Sequence, residues 1–226
     1  MADHLELEQM EWLSGLDDAD IERIRAASTR RKYSAGQMIV ENGDTGRTMF
    51  FVLSGRVLAV QWTREGREII YGDIGPGSGC GEVSVLTDEP RAMSLYARTD
   101  CLLSEIPGAI LIELFETRPV VRKAVMRTQF RRVGELNNRV QELTLLGVDE
   151  RLRSYLLRLA LEQGRLGPGQ ELDLVPTQAE IAGIIGSHRE AVSRALTALA
   201  RQKVIETGRR YLRILDPDGL MPADME

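Results

Sequence analysis

Cysteine and histidine are scarce. The 226 residues hold two of each, Cys80 and Cys101, His4 and His188. That is too few for a multi-cysteine zinc site or an iron–sulfur cluster on four thiolates, so no metal is expected. No apolar run approaches the ~20 residues that span a bilayer. The acidic opening, Met1 to Glu11, lacks the basic-then-apolar order of an export signal, so a cytoplasmic protein with no membrane partner is expected. A general excess of positive charge is missing too. The net charge is -5, so nucleic acid would have to be gripped by a local face and not by bulk charge. No Ser/His/Asp set and no nucleoside-triphosphate loop occurs, and an enzyme is not expected. The cluster Gly75 to Gly81 fails as a dinucleotide loop, because Glu82 stands where the third glycine should be and no βαβ pattern surrounds it.

What is there is enough for a folded protein. Hydrophobic residues make up 43% and charged ones 28%, and the length suits two domains. Between Tyr33 and Pro107 short apolar runs alternate with turns: Met38 to Val40, Met49 to Leu53, Val57 to Trp62, Glu68 to Tyr71, Met93 to Ala97 and Cys101 to Ile106. This spacing predicts an antiparallel sandwich or barrel. From Pro119 to about Leu146 glycine and proline all but vanish. Met126, Val133, Leu136, Val140 and Leu143 form a heptad-like stripe, while Arg122, Lys123, Arg127, Arg131, Arg132 and Arg139 fill much of the remaining surface. A long helix is predicted whose narrow seam pairs with its own copy, a helix lying on its own domain being the alternative.

After Gly147 helices are expected over Asp149 to Glu162, Gln178 to Ile184 and Ser187 to Gln202, with a loop at Gln163 to Gln170. A hairpin follows around Thr207 to Tyr211, then an acidic tail after Asp216 prone to fraying. From Gly147 to Leu215 there are 11 basic residues against 8 acidic ones, before the tail from Asp216 adds four acids. The domain reading is therefore a strand-rich unit over 1–117, a long helix over 118–146 and a helical unit ending in a hairpin over 147–226, α+β overall.

Thr177 and Glu180 have capping-box spacing and start a helix. Ile181, Ala182, Ile185, Gly186, Val192 and Ala195 then follow a helix-turn-helix pattern, with a small residue where the helices touch and glycine in the turn. The second helix presents His188, Arg189, Glu190, Ser193 and Arg194. Arginine can fork onto guanine O6 and N7, and glutamate can accept from cytosine N4. The expected DNA-binding set is Thr177, Gln178, Ser187, His188, Arg189, Glu190, Ser193 and Arg194. Arg201, Lys203, Arg209 and Arg210 stand nearby for phosphates. The bland alternative is a solvated face with an i, i+4 pair between Glu190 and Arg194.

The segment Gly81 to Ala92 carries a second chemistry. Gly81 and the short apolar turn from Val83 can expose backbone N–H groups to an anion. Arg91 adds a planar fork for two phosphate oxygens, and Glu82 an acceptor for a sugar hydroxyl. Together they suit a cyclic phosphate fused to a ribose. A plain ion pair between Glu82 and Arg91 is the alternative.

The run Gly81 to Ala92 resembles the phosphate-binding cassette of cyclic-nucleotide-binding domains. Its nine-residue step from Glu82 to Arg91 is similar to that in the regulatory subunits of cyclic-AMP-dependent protein kinase. Gly36, Ile39, Gly43-Asp44, Gly46 and Ser54-Gly55-Arg56-Val57 resemble the first strands and turns of the same fold. With the helix-turn-helix added, Leu13 to Leu215 resembles the cyclic-AMP receptor protein/FNR (Crp/Fnr) family of bacterial transcription regulators. The resemblance implies a β-sandwich or jelly-roll sensor over 1–117, a dimerisation helix over 118–146 and a winged helix-turn-helix DNA-binding domain over 147–226. It implies an allosteric homodimer on a palindromic operator, with RNA polymerase as a further candidate partner and a cyclic nucleotide as effector. Cyclic AMP is favoured and cyclic GMP stays open. It implies an effector site at Gly81, Glu82, Val83, Arg91 and Ala92, and base contacts from Arg189, Glu190 and Arg194. The family's cyclic-AMP receptor sets a Thr-Ser pair against the adenine amine. Leu136 and Asn137 stand at the matching positions, and Asn137 can meet an adenine or a guanine edge. A ligand-independent member and a redox or haem sensor using Cys80 remain alternatives.

Overall fold

The computed structural model describes residues 4–66, 68–208 and 211–221 and divides the chain into two compact units, 1–133 and 134–226. In the first unit the helix α1 (Asp18–Ala27) is capped by Asp17, whose side chain accepts from the Asp20 amide. Eight strands follow: β1 (Thr29–Tyr33), β2 (Met38–Val40), β3 (Thr48–Ser54), β4 (Val57–Trp62), β5 (Glu68–Ile74), β6 (Gly79–Cys80), and, after the helix α2 (Glu82–Thr87), β7 (Ser94–Ala97) and β8 (Cys101–Pro107). Two antiparallel sheets form, in the orders β1-β8-β3-β6 and β2-β7-β4-β5.

Strand β3 explains the layering. Its apolar run alternates between two cores: Phe50 and Val52 point between the sheets, toward Val57, Ala59, Leu95 and Leu103, while Met49, Phe51 and Leu53 point outward. A run apolar on both faces must be covered on both. The outer cover is the N-terminal segment with α1, α3 (Gly108–Thr117) and the first turns of α4 (Pro119–Leu145). Trp12 packs edge-on against Phe51 at 5.9 Å and donates its indole N–H to Thr128 Oγ1 of α4 at 2.9 Å. Glu11 closes the same corner with a two-pronged bond from Arg131, which holds its carboxyl below the usual range.

The long helix is where it was expected, and it buries only Val121, Val125 and Thr128. Met126, Val133, Leu136, Val140 and Leu143 are exposed, joined by Phe130 at 66%.

In the second unit α5 (Val148–Glu162), α6 (Gln178–Ile185) and α7 (Arg189–Arg201) pack on a small sheet of β9 (Glu171–Leu172), β10 (Ile205–Gly208) and β11 (Tyr211–Ile214), in the order β10-β11-β9. Three helices with a β wing make the winged helix-turn-helix. The acidic tail does not fray directly after Asp216: Leu220 is fully buried in this core. Arg209 and Arg210, and the tail beyond Met221, lie outside the described residues.

Candidate functional site

The cassette opens on Gly81, the N-cap of α2, at φ 91°. A Cβ there would stand 2.7 Å from Arg91 Nη1 and 3.1 Å from the Thr48 carbonyl. Gly81→Ala is therefore both strained and in the way, and it should cost about 2 kcal/mol of stability in a denaturant titration. A midpoint equal to wild type would contradict this packing.

Arg91 is buried at 6% exposure. Its Nη1 donates to the Gly81 carbonyl at 2.8 Å and its Nη2 to the Thr48 carbonyl at 2.6 Å. Nε is buried with no partner. The guanidinium lies 5.8 Å from the Phe50 ring centre. Burial pulls its pKa below the ordinary value, since a desolvated cation wants an anion. Among the described residues it pairs with no carboxylate, so the simple Glu82–Arg91 ion pair is not formed.

Glu82, buried at 3%, turns instead to α4. Its Oε1 accepts from Gln129 Nε2 at 2.8 Å and from Arg132 Nη1, while Arg132 Nη2 donates to the Gly79 carbonyl at 3.0 Å. Both bonds fall on one oxygen. Arg132 was grouped with the surface cations, and the structure corrects that. Gln129 carried a legible signal: with Met126, Val133, Leu136 and Val140 it completes a three-four alternation, and it is the one polar residue in that row. Val83 is exposed beside the cassette and Ala92 is exposed at its end, where its carbonyl accepts from Asn42 Nδ2. Asn137 is exposed on α4 in the second unit.

Cys80 lies next to this cradle, and its thiol is pushed up to about 12, first by burial and then by the Glu82 charge. The reactive thiolate is thus suppressed at neutral pH. Alkylation of the native protein should proceed only as fast as it unfolds; prompt labelling of Cys80 at neutral pH would revive the redox alternative.

In the second unit Thr177 caps α6 through the reciprocal bonds expected of it: the Glu180 amide donates to Thr177 Oγ1 at 3.2 Å, and the Thr177 amide to Glu180 Oε2 at 2.6 Å. Ile181, Ala182, Ile185, Val192 and Ala195 are all buried. Gly186 ends the helix at φ 65°, and a Cβ there would meet Leu143 at 2.6 Å. The second helix begins two residues later than the sequence suggested: His188 is its N-cap and Arg189 its first residue. Ser187 is buried in the turn, its amide bonded to the Ala182 carbonyl at 2.8 Å, so it stands apart from the exposed group. Thr177, Gln178, His188, Arg189, Glu190 and Arg194 are exposed and Ser193 half-buried. Among the described residues Arg189, Glu190 and Arg194 form no ion pair, so the self-satisfied Glu190–Arg194 face is absent. Arg201 and Lys203 are exposed at the end of α7.

A double sheet with a buried arginine beside Gly81 and a recognition-type helix in a winged domain define a two-part regulator. The family model of the cyclic nucleotide-binding domain matches residues 30–118, and that of the Crp-like helix-turn-helix domain matches residues 150–223. The CRP-like protein Clp of Xanthomonas euvesicatoria is 30% identical over 190 residues, covering 81% of this chain and 83% of the relative. The solved structure of the c-di-GMP-responsive global regulator CLP of Xanthomonas campestris superposes with a TM-score of 0.77 at 26% identity, covering 88% of this chain and 99% of that one. FixK2 of Bradyrhizobium japonicum shares the fold, with a TM-score of 0.74 at 20% identity over 85% of this chain and 95% of that one. The chain belongs to the Crp/Fnr family of transcription regulators, whose members are not enzymes. Among the described residues no helix is long and apolar enough to cross a membrane, and no three metal-ligating side chains cluster.

Proposed function

We propose that the protein is a cytoplasmic, homodimeric transcription regulator whose grip on DNA is set by a cyclic nucleotide bound in the β-sandwich, cyclic AMP before cyclic GMP. Residues 1–117 act as the sensor, 118–146 as the dimerisation helix and 147–226 as the DNA-binding domain. Arg91 takes the cyclic phosphate, Gly81, Val83 and Ala92 frame it with backbone, and Glu82 takes a ribose hydroxyl. Asn137 faces the base. Arg189, Glu190 and Arg194 read base edges in the major groove, with Thr177, Gln178, Ser187, His188 and Ser193 around them. A palindromic operator with half-sites about 34 Å apart suits a two-fold dimer.

One observation carries the effector half of this reading: a buried guanidinium that forms no ion pair among the described residues, with a buried Nε that no acceptor meets. Such a group is costly in the empty protein and gains most from a bound anion. The c-di-GMP response of CLP from Xanthomonas campestris makes cyclic di-GMP the third effector to try. The test is a titration of palindromic DNA with the protein alone and with each of the three nucleotides. Tighter DNA binding with one of them, by about 5- to 150-fold, is expected. Identical affinities in all four titrations, with no heat on adding nucleotide to protein, would leave a ligand-independent regulator.

A further inference from the structure

The exit from the cassette is tied down by a residue outside it. Helix α2 is short, and Asp88, its C-cap, takes φ 60° and ψ 22°, a left-handed conformation that crowds a side-chain-bearing residue. Arg47, just before β3, ties this turn down. Its Nε donates to Asp88 Oδ1 at 3.0 Å, and its Nη2 donates to that same oxygen at 2.7 Å and to the Asp88 carbonyl at 2.8 Å. Its Nη1 donates to the Glu89 carbonyl at 3.2 Å and to the Thr45 carbonyl at 3.0 Å. A guanidinium has five N–H donors, and here each has an acceptor. Arg47 is half-buried and the Asp88 carboxylate exposed, so the hold comes from the shape of the fork and not from a desolvated ion pair. The clamp is itself anchored: the Gly108 amide donates to the Arg47 carbonyl at 2.7 Å, and a Cβ at Gly108 would stand 2.4 Å from that oxygen.

We propose that Arg47 is a positioning residue for the effector site: it fixes the left-handed turn at Asp88 and so presets Arg91, three residues on, before any ligand arrives. This rests on the reading of Arg91 as the anion's partner. Arg91 is held from its other side by a backbone pair, its amide to the Asp44 carbonyl at 2.8 Å and its carbonyl to the Gly43 amide at 2.7 Å. Without Arg47 the stretch 88–90 hinges about that pair, and binding has to order it. An ordered site avoids that entropy cost. The fork is what matters, because a lysine brings the charge but cannot span two carbonyls and a carboxylate.

The test compares full-length wild type, Arg47→Ala and Arg47→Lys. Amide hydrogen exchange over residues 86–92 is measured without ligand, and affinity for cyclic AMP, cyclic GMP and cyclic di-GMP is measured by calorimetry at low and high salt. Faster exchange in both variants is expected, with about tenfold weaker binding of whichever nucleotide the wild type takes, a loss that salt does not change. Wild-type exchange in either variant, or wild-type affinity in Arg47→Lys, overturns the proposal. If the wild type binds none of the three, the effector reading falls and the exchange arm alone decides the role of Arg47. Should Arg47→Ala fold poorly, Asp88→Asn removes the carboxylate charge while tolerating the left-handed turn, and about threefold weaker binding is expected. Unchanged binding and exchange in that variant would count against the clamp.

Discussion

Arg91→Leu is expected to abolish effector binding at working concentrations, with affinity falling by about 100-fold or more. A desolvated charge partner is worth about 2–5 kcal/mol to its ligand, and each 1.4 kcal/mol is tenfold. The substitution also strips donors from the Gly81 and Thr48 carbonyls. The Gly81 carbonyl keeps the Ser84 hydroxyl at 3.3 Å, so the lost stability should come mainly from the Thr48 carbonyl, about 1–3 kcal/mol. The two consequences separate in a melting experiment. Wild type should gain melting temperature with nucleotide, whereas the variant starts lower and gains nothing. Arg91→Lys, which keeps the charge without the fork, should fall between them. A leucine variant that still binds with wild-type heat would put the anion elsewhere.

Val140→Glu is expected to turn a dimer into a monomer. Val140 is 62% exposed in the single chain and sits in the row Val133, Leu136, Val140 and Leu143 on α4. Apolar surface of this kind, continued by Phe130, is costly in water and stabilising when a second helix covers it. In a two-fold seam one substitution places two carboxylates opposite each other in an apolar strip. Uncompensated buried charge costs about 3–5 kcal/mol, so the dimer dissociation constant should rise by about 100-fold or more. Sedimentation velocity should show a single-chain species, and binding to a palindromic operator should fall to that of a half-site. A dimer that persists would mean that α4 meets its copy on another face or not at all.

Much of the architecture was legible because local chemistry and burial agree there. The turn glycines, the run Met49 to Leu53 and the capping box at Thr177 each have one good structural solution, and each adopts it. The elements that stayed hidden break the pattern for physical reasons. Strand β1, Thr-Arg-Arg-Lys-Tyr, is an edge strand that buries only Tyr33, so its polarity concealed it. The strands β6 and β9 have two residues each and exist only through their partners. In the cassette the residue types pointed to Glu82 and Arg91, but their partners lie far off in sequence. Gln129 and Arg132, which meet Glu82, come from α4, and Thr48, which meets Arg91, from β3; spacing could mark Gln129 as the polar member of an apolar row but not name its partner. Ser187, one of the expected DNA-binding residues, lies buried in the turn, a placement that its residue type does not announce.

The double duty of β3 has a thermodynamic corollary. Because Phe50 and Val52 belong to one hydrophobic layer and Met49, Phe51 and Leu53 to the other, a single strand is the shared wall of both. Neither layer can melt while its neighbour stays intact, so the eight-stranded body and its helical cover should unfold together, in one calorimetric transition.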